Sequence, residues 1–141
     1  MNTSTQSQPG LRRAGAVLAG LATVVVLSTA VDLFMHASGI FPAMGQPMPP
    51  ALWWLAVAYR AAFTLLGGWI AARLSPGQPM RAVWILTGAG CVLGLMGVGV
   101  ALSKPELGPL WYAWAVALTG PPASWLGGRL YIQNHKNTEA P

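Results

Sequence analysis

Residues 51–74, ALWWLAVAYRAAFTLLGGWIAARL, form an apolar run with a single arginine, Arg60, deep inside it and a second, Arg73, at its end. About 24 residues in a helix reach across a hydrocarbon core of about 30 Å. A run of this length and composition predicts a membrane-spanning helix. A guanidinium at that depth costs roughly 2.5–3.5 kcal/mol on insertion scales, so it requires a partner or a wet cavity. Of the acidic residues, Asp32 alone lies inside another apolar run. The reading of the whole chain turns on whether Asp32 and Arg60 meet.

The composition agrees with a membrane setting. The chain has 141 residues, 54% of them hydrophobic and 8% charged, against about 25% charged in soluble domains. Too few polar residues are present to coat a soluble fold of this size. The formal net charge of +5 does not point to nucleic acid, because the basic residues stand at the ends of apolar runs and form no stripe interleaved with aromatics. Cys91 is the sole cysteine and sits inside an apolar run, so no intrachain disulfide forms and a buried, inert thiol is expected.

Outward from residues 51–74, the pattern predicts four spans, at about 14–38, 51–74, 82–103 and 107–130. Residues 1–10 and 133–141 are polar and read as tails without fixed structure. Arg12 and Arg13 precede the first apolar run. A signal peptide cleaved near Ser28-Thr29-Ala30 is the alternative there, but the apolar character continues through Leu33, Phe34 and Met35, which favours a retained helix. Residues 39–50 hold Pro42, Pro47, Pro49 and Pro50 and read as a loop lying against the membrane surface. Arg12, Arg13, Arg73, Arg81, Arg129 and Lys136 fall on one side of such a bundle and Lys104 on the other. The positive-inside rule then places both termini in the cytoplasm. The expected fold class is an all-α four-helix transmembrane bundle.

Small residues at helical spacing mark the expected packing faces. They are Gly15, Ala19, Ala22, Val26 and Thr29 in the first helix, and Thr64, Gly67 and Ala71 in the second. The third offers Gly90, Gly94, Gly97 and Ala101, and the fourth Ala113, Ala117 and Gly120. Pro121 and Pro122 predict a kink in the fourth helix, with Thr119 and Ser124 near the carbonyls they free. A faint internal echo links Trp53-Trp54, Gly67-Gly68 and Arg73 with Trp111-Tyr112, Gly127-Gly128 and Arg129.

The candidate polar site joins Asp32 and His36, four residues apart on one helix face, to Tyr59, Arg60 and Thr64 of the second helix. With the outer boundary near Gly39, Asp32 lies roughly 10 Å deep, His36 roughly 5 Å and Arg60 roughly 13 Å. Two readings stand. The cluster is a clamp that fixes one helix register, or it is a polar site for proton-coupled transport or small-ligand binding. Met35, His36, Met44 and Met48 have the chemistry of a Cu(I) site, but their spacing matches no tight ligand motif and no metal is assigned. His135 lies in the tail at the other side, which rules out paired haem ligation within the chain. No HExxH, CxxC, GxSxG or phosphate-cradling loop is present, so neither enzymatic activity nor a cofactor is expected. The expected partners are the lipid bilayer and either a second copy or a larger membrane complex.

At Val31-Asp32, His36, residues 39–42 (GIFP), Ala58-Tyr59-Arg60, Leu66-Gly67-Gly68, Ala72-Arg73-Leu74 and residues 125–128 (WLGG), the chain resembles a group of small bacterial four-span proteins of unknown function. The resemblance covers roughly residues 31–130. It implies a bacterial inner-membrane location and carries no activity. The size also invites comparison with small multidrug-resistance transporters. Those place a glutamate in the first helix, where this chain has Asp32 nearer the outer end.

Overall fold

The computed structural model describes residues 8–139 and is helical through most of them. Helix α1 spans Pro9–Ala37, α2 Pro50–Leu74, α3 Pro79–Ser103 and α4 Leu110–Glu139, with a 3₁₀ turn at Pro105–Leu107 before α4. Helices α1, α2 and α3 are each long and apolar enough to cross a membrane. Each of these three begins with proline in its first turn, where a missing N–H removes nothing the helix would use. Gly77, with φ of 90°, turns the chain between α2 and α3.

The element ends differ from the sequence expectation in several places, among them α3, which opens at Pro79 instead of 82. The fourth helix starts at Leu110 instead of 107, because residues 105–107 close a 3₁₀ turn and Gly108 takes a φ of 153° that glycine tolerates. The C-terminal tail expected at 133–141 is helical as far as Glu139. No glycine or proline breaks the helix there, the Tyr131 ring stacks on His135 at 5.2 Å, and Thr138 Oγ1 donates to the Asn134 carbonyl at 2.9 Å. At the other terminus Pro9 and Gly10, expected in the tail, open α1. The rest of both expected tails, residues 1–7 and 140–141, lies outside the described residues.

Helix α2 packs along both α1 and α4, and α3 packs along α4, while α1 meets α3 over a shorter stretch. The close approaches gather at the end of the bundle that holds the start of α1 and the α2–α3 turn. There Gly20 of α1 faces Gly67 of α2, Gly68 of α2 abuts the backbone of Ser124, Gly127 of α4 abuts that of Leu65, and Gly128 packs on Val83 of α3. Ala16, Val17, Ala71, Ala82 and Leu86 form the buried cluster at the same end. Helices brought together through glycine gain contact that lipid-soluble side chains alone would not provide.

The expected inward face of α1 is corrected by this packing. Val26 is 62% exposed, and Ala16, Val17, Gly20 and Ser28 are the buried residues instead. The inward ladder is Gly20, Val24, Ser28 and Asp32, each one turn from the last, because Gly20 and Val24 are the residues that meet Gly67. In α3, Gly94 touches Ala117, whereas Gly90 and Gly97 border open space.

Helix α4 runs unbroken through Pro121 and Pro122. The hydroxyls nearby do not serve the carbonyls that the prolines free, at Ala117 and Leu118. Thr119 Oγ1 donates to Ala115 at 2.7 Å, and Ser124 Oγ donates to Pro121 at 3.0 Å while meeting Thr87 Oγ1 at 2.7 Å.

Candidate functional site

Asp32 sits in the penultimate turns of α1, on the ladder that faces α2. Tyr59 and Arg60 are consecutive on α2, and both reach it. The Tyr59 hydroxyl donates to Oδ1 of Asp32, and Nη2 of Arg60 donates to Oδ2 in an ion pair. The two side chains of the pair remain 32% (Arg60) and 30% (Asp32) exposed. One carboxylate is therefore held by two adjacent residues of one neighbouring helix, with each oxygen on a different donor.

His36 and Thr64 belong to the neighbourhood but not to the carboxylate. Nδ1 of His36 donates to the backbone oxygen of Asp32 at 2.9 Å, and its ring meets the buried Phe41 edge-on at 5.5 Å. Thr64 Oγ1 donates to the backbone oxygen of Arg60 at 2.7 Å. Both back-bonds lie within their own helices, so they satisfy hydroxyl and imidazole in a dry setting without adding a group to the ion pair.

Arg60 also has a second side. Its Nε is buried and has no hydrogen-bond partner, and the residue lines a cavity of about 400 Å³ between α1, α3 and α4. The lining is mostly carbon. Thr64, Thr87, Tyr112 and Ser124 supply the other polar groups. Thr87 and Ser124 are bonded to each other, and Thr64 to its own helix. Arg60, beyond its bond to Asp32, and Tyr112 are thus the polar lining residues with donors left over. Gly90, Gly94, Gly97 and Gly120 form much of the remaining wall.

Sequence reasoning brought Asp32, Tyr59 and Arg60 together, and the structure does the same. It did not assign Tyr112 to the site. That residue entered the sequence reading only through the internal echo, and its ring packs on Trp53 at 4.7 Å. Nor did it find the cavity. Among the described residues no three of His, Cys, Asp and Glu converge as metal donors. At the opposite end of the bundle Arg13 and Arg81 both donate to Gln78 Oε1, at 2.8 and 3.1 Å. Arg73 lies over Trp69 and Arg129 over Trp125, each at 5.2 Å.

Comparison with protein-family models, with curated proteins and with solved structures gave no match.

Proposed function

We propose that this chain is a small four-span protein of the bacterial inner membrane, with both termini cytoplasmic, that serves as an accessory or structural component and uses Asp32, Tyr59 and Arg60 as an inter-helix clamp. The observation that carries this reading is the saturation of Asp32: each carboxylate oxygen accepts from a residue of α2. A carboxylate so held fixes the register of α1 on α2, and removing one partner of this half-buried pair leaves an uncompensated charge. A proton relay would instead protonate Asp32 and weaken both of these charge-assisted bonds.

The fourth span is supported by the side-by-side packing of α4 and α2. Trp54 pairs with Trp111 at 5.0 Å near one end, and Gly68 meets Ser124 toward the other. If α2 crosses the bilayer, α4 crosses beside it. The cytoplasmic assignment rests on Arg12, Arg13, Arg73, Arg81 and Arg129 sharing one end.

The clamp is tested by exchange. Asp32→Asn and Arg60→Gln are each expected to lower the unfolding midpoint in mild detergent. The double variant Asp32→Arg with Arg60→Asp is expected to recover part of the loss. Proton flux in vesicles separates the alternative: a folded Asp32→Asn protein that loses proton-coupled uptake of a substrate would replace the clamp with a transporter.

A further inference from the structure

The cavity beside Arg60 has walls of unequal kind. On α4 and α2 it carries Tyr112, Arg60 and Thr64, and on α3 it carries Gly90, Gly94, Gly97 and Ala101. No atom lies within 4 Å of where a side chain would begin on Gly90, Gly97 or Gly120. The space therefore exists because side chains are missing along one wall, whereas Gly20, Gly67, Gly68, Gly127 and Gly128 serve close contact between helices. Val25 of α1 and Leu93 and Val100 of α3 also line it and are 46–53% exposed, which puts the mouth between α1 and α3. That gap faces sideways, toward the acyl chains of a membrane.

We propose that the cleft between α1 and α3 binds a neutral, single-chain amphiphile that enters from the bilayer, lies along the glycine wall of α3 and offers a carbonyl or ester oxygen to Arg60 and Tyr112. The volume falls within the range of about 300–1,000 Å³ typical of small-molecule sites, which are apolar with a few convergent polar groups. The head is an acceptor because Arg60 and Tyr112, the polar residues of the wall with donors left over, offer N–H and O–H groups. The head is neutral because the charge of Arg60 is already balanced by Asp32, and a second anion would stand uncompensated in an apolar setting. A helix from a second copy fits less well, since its apolar side chains would cover the Arg60 donors without satisfying them.

This inference rests on the membrane reading above, and the experiment separates the two. The full chain is placed in lipid nanodiscs with a monoacylglycerol that carries a diazirine in its acyl chain. Saturable labelling of α3 and α4 segments that line the cleft is expected, removed by excess plain monoacylglycerol. In Gly97→Leu and Gly90→Leu it is expected to fall about tenfold, a difference of about 1.4 kcal/mol in binding. Both positions have room for the new side chain, and unchanged helicity and melting verify that the variants fold. Tyr112→Phe is expected to weaken labelling about threefold. A fatty acid of the same chain length is expected to compete about tenfold less well than the ester.

Labelling that never saturates, or that spreads evenly over the outward faces of α1 and α3, would overturn the site. So would wild-type labelling in both glycine variants. A fatty acid that competes better than the ester would refute the neutral head. A dimer lost in Gly97→Leu would give the cleft to a second copy. A chain that stays in water and does not enter nanodiscs would overturn the membrane reading itself, and the cleft proposal with it.

Discussion

Gly68 of α2 lies so close to Ser124 of α4 that a methyl group on the glycine would collide with the Ser124 carbonyl oxygen. Gly127 stands in the same relation to the Leu65 carbonyl. These two contacts seal the α2–α4 seam at one end of the bundle. Gly90 and Gly97 of α3 face open space instead, so one residue type performs opposite tasks at different places in the bundle. Close backbone approach gives dispersion contact and excludes lipid; a glycine with no neighbour gives volume.

The difference is measurable. Gly68→Ala and Gly127→Ala are each expected to destabilise the fold by about 1–3 kcal/mol, the usual cost of overpacking. Gly88→Ala and Gly99→Ala have nothing within 4 Å of the new methyl group. They are expected to be neutral or to stabilise by up to about 1 kcal/mol through helix propensity. Unfolding in mixed micelles reads all four, and equal effects at the four sites would remove the close-contact account.

Tyr59 and Arg60 act on one carboxylate, so their contributions should not add. Tyr59→Phe removes one donor and is expected to cost about 1.5–3 kcal/mol, the range for a hydrogen bond to a charged group. In the Asp32→Asn background the same change is expected to cost less, with a coupling of about 0.5–3 kcal/mol between the two sites. A double-mutant cycle by detergent unfolding gives that number directly. Additive losses would mean that Tyr59 is held by its packing on Phe63, 6.0 Å away between ring centres, and not by Asp32.

The Asp32–Arg60 pairing was legible in the sequence because one acid and one base stand inside apolar runs, and burial leaves each only the other. Tyr59 followed from adjacency. The inward face of α1 was not legible from small residues, since that helix is apolar on every side and hydropathy gives no direction. Stepping back by fours from Asp32, through Ser28 and Val24 to Gly20, finds the correct ladder. The cleft was hidden for a different reason. Spacing shows where backbones are able to approach, but Gly94 meets Ala117 and Gly97 meets nothing, one turn apart on the same helix. The extension of α4 past Leu130 was missed because polar composition was read as a tail, although residues 131–139 hold neither glycine nor proline to stop the helix.

Thr87 and Ser124 join α3 to α4 through buried hydroxyls that are 8% and 2% exposed. Ser124 donates to the Pro121 carbonyl, which leaves Thr87 to donate to Ser124. Thr87→Val keeps the shape and removes that donor, and is expected to cost about 1 kcal/mol. Ser124→Ala removes both bonds and strands the Thr87 hydroxyl, so a loss of roughly 2 kcal/mol is expected. Thermal unfolding of the two variants in detergent should rank them in that order. The reverse order would show that Ser124 serves the backbone alone.

Topology rests on where the arginines lie, and it is open to a direct test in the Cys91→Ser background. Cysteine placed at Gln46 or Leu107, in the two loops away from the basic end, is expected to react with a membrane-impermeant maleimide on intact cells or right-side-out vesicles. Cysteine at Pro76 or Asn134 is expected to react only after permeabilisation. Asn134 decides the case of α4, whose sequence is the least apolar of the four helices and which carries Pro121 and Pro122 at its centre. Near the prolines Ser124 is buried against Gly68 and Thr87, and helix partners are what make proline tolerable within a span. Labelling of Asn134→Cys from outside, with Leu107→Cys also outside, would mean that α4 lies on the surface, and the α2–α4 glycine contacts would then have to form outside the bilayer.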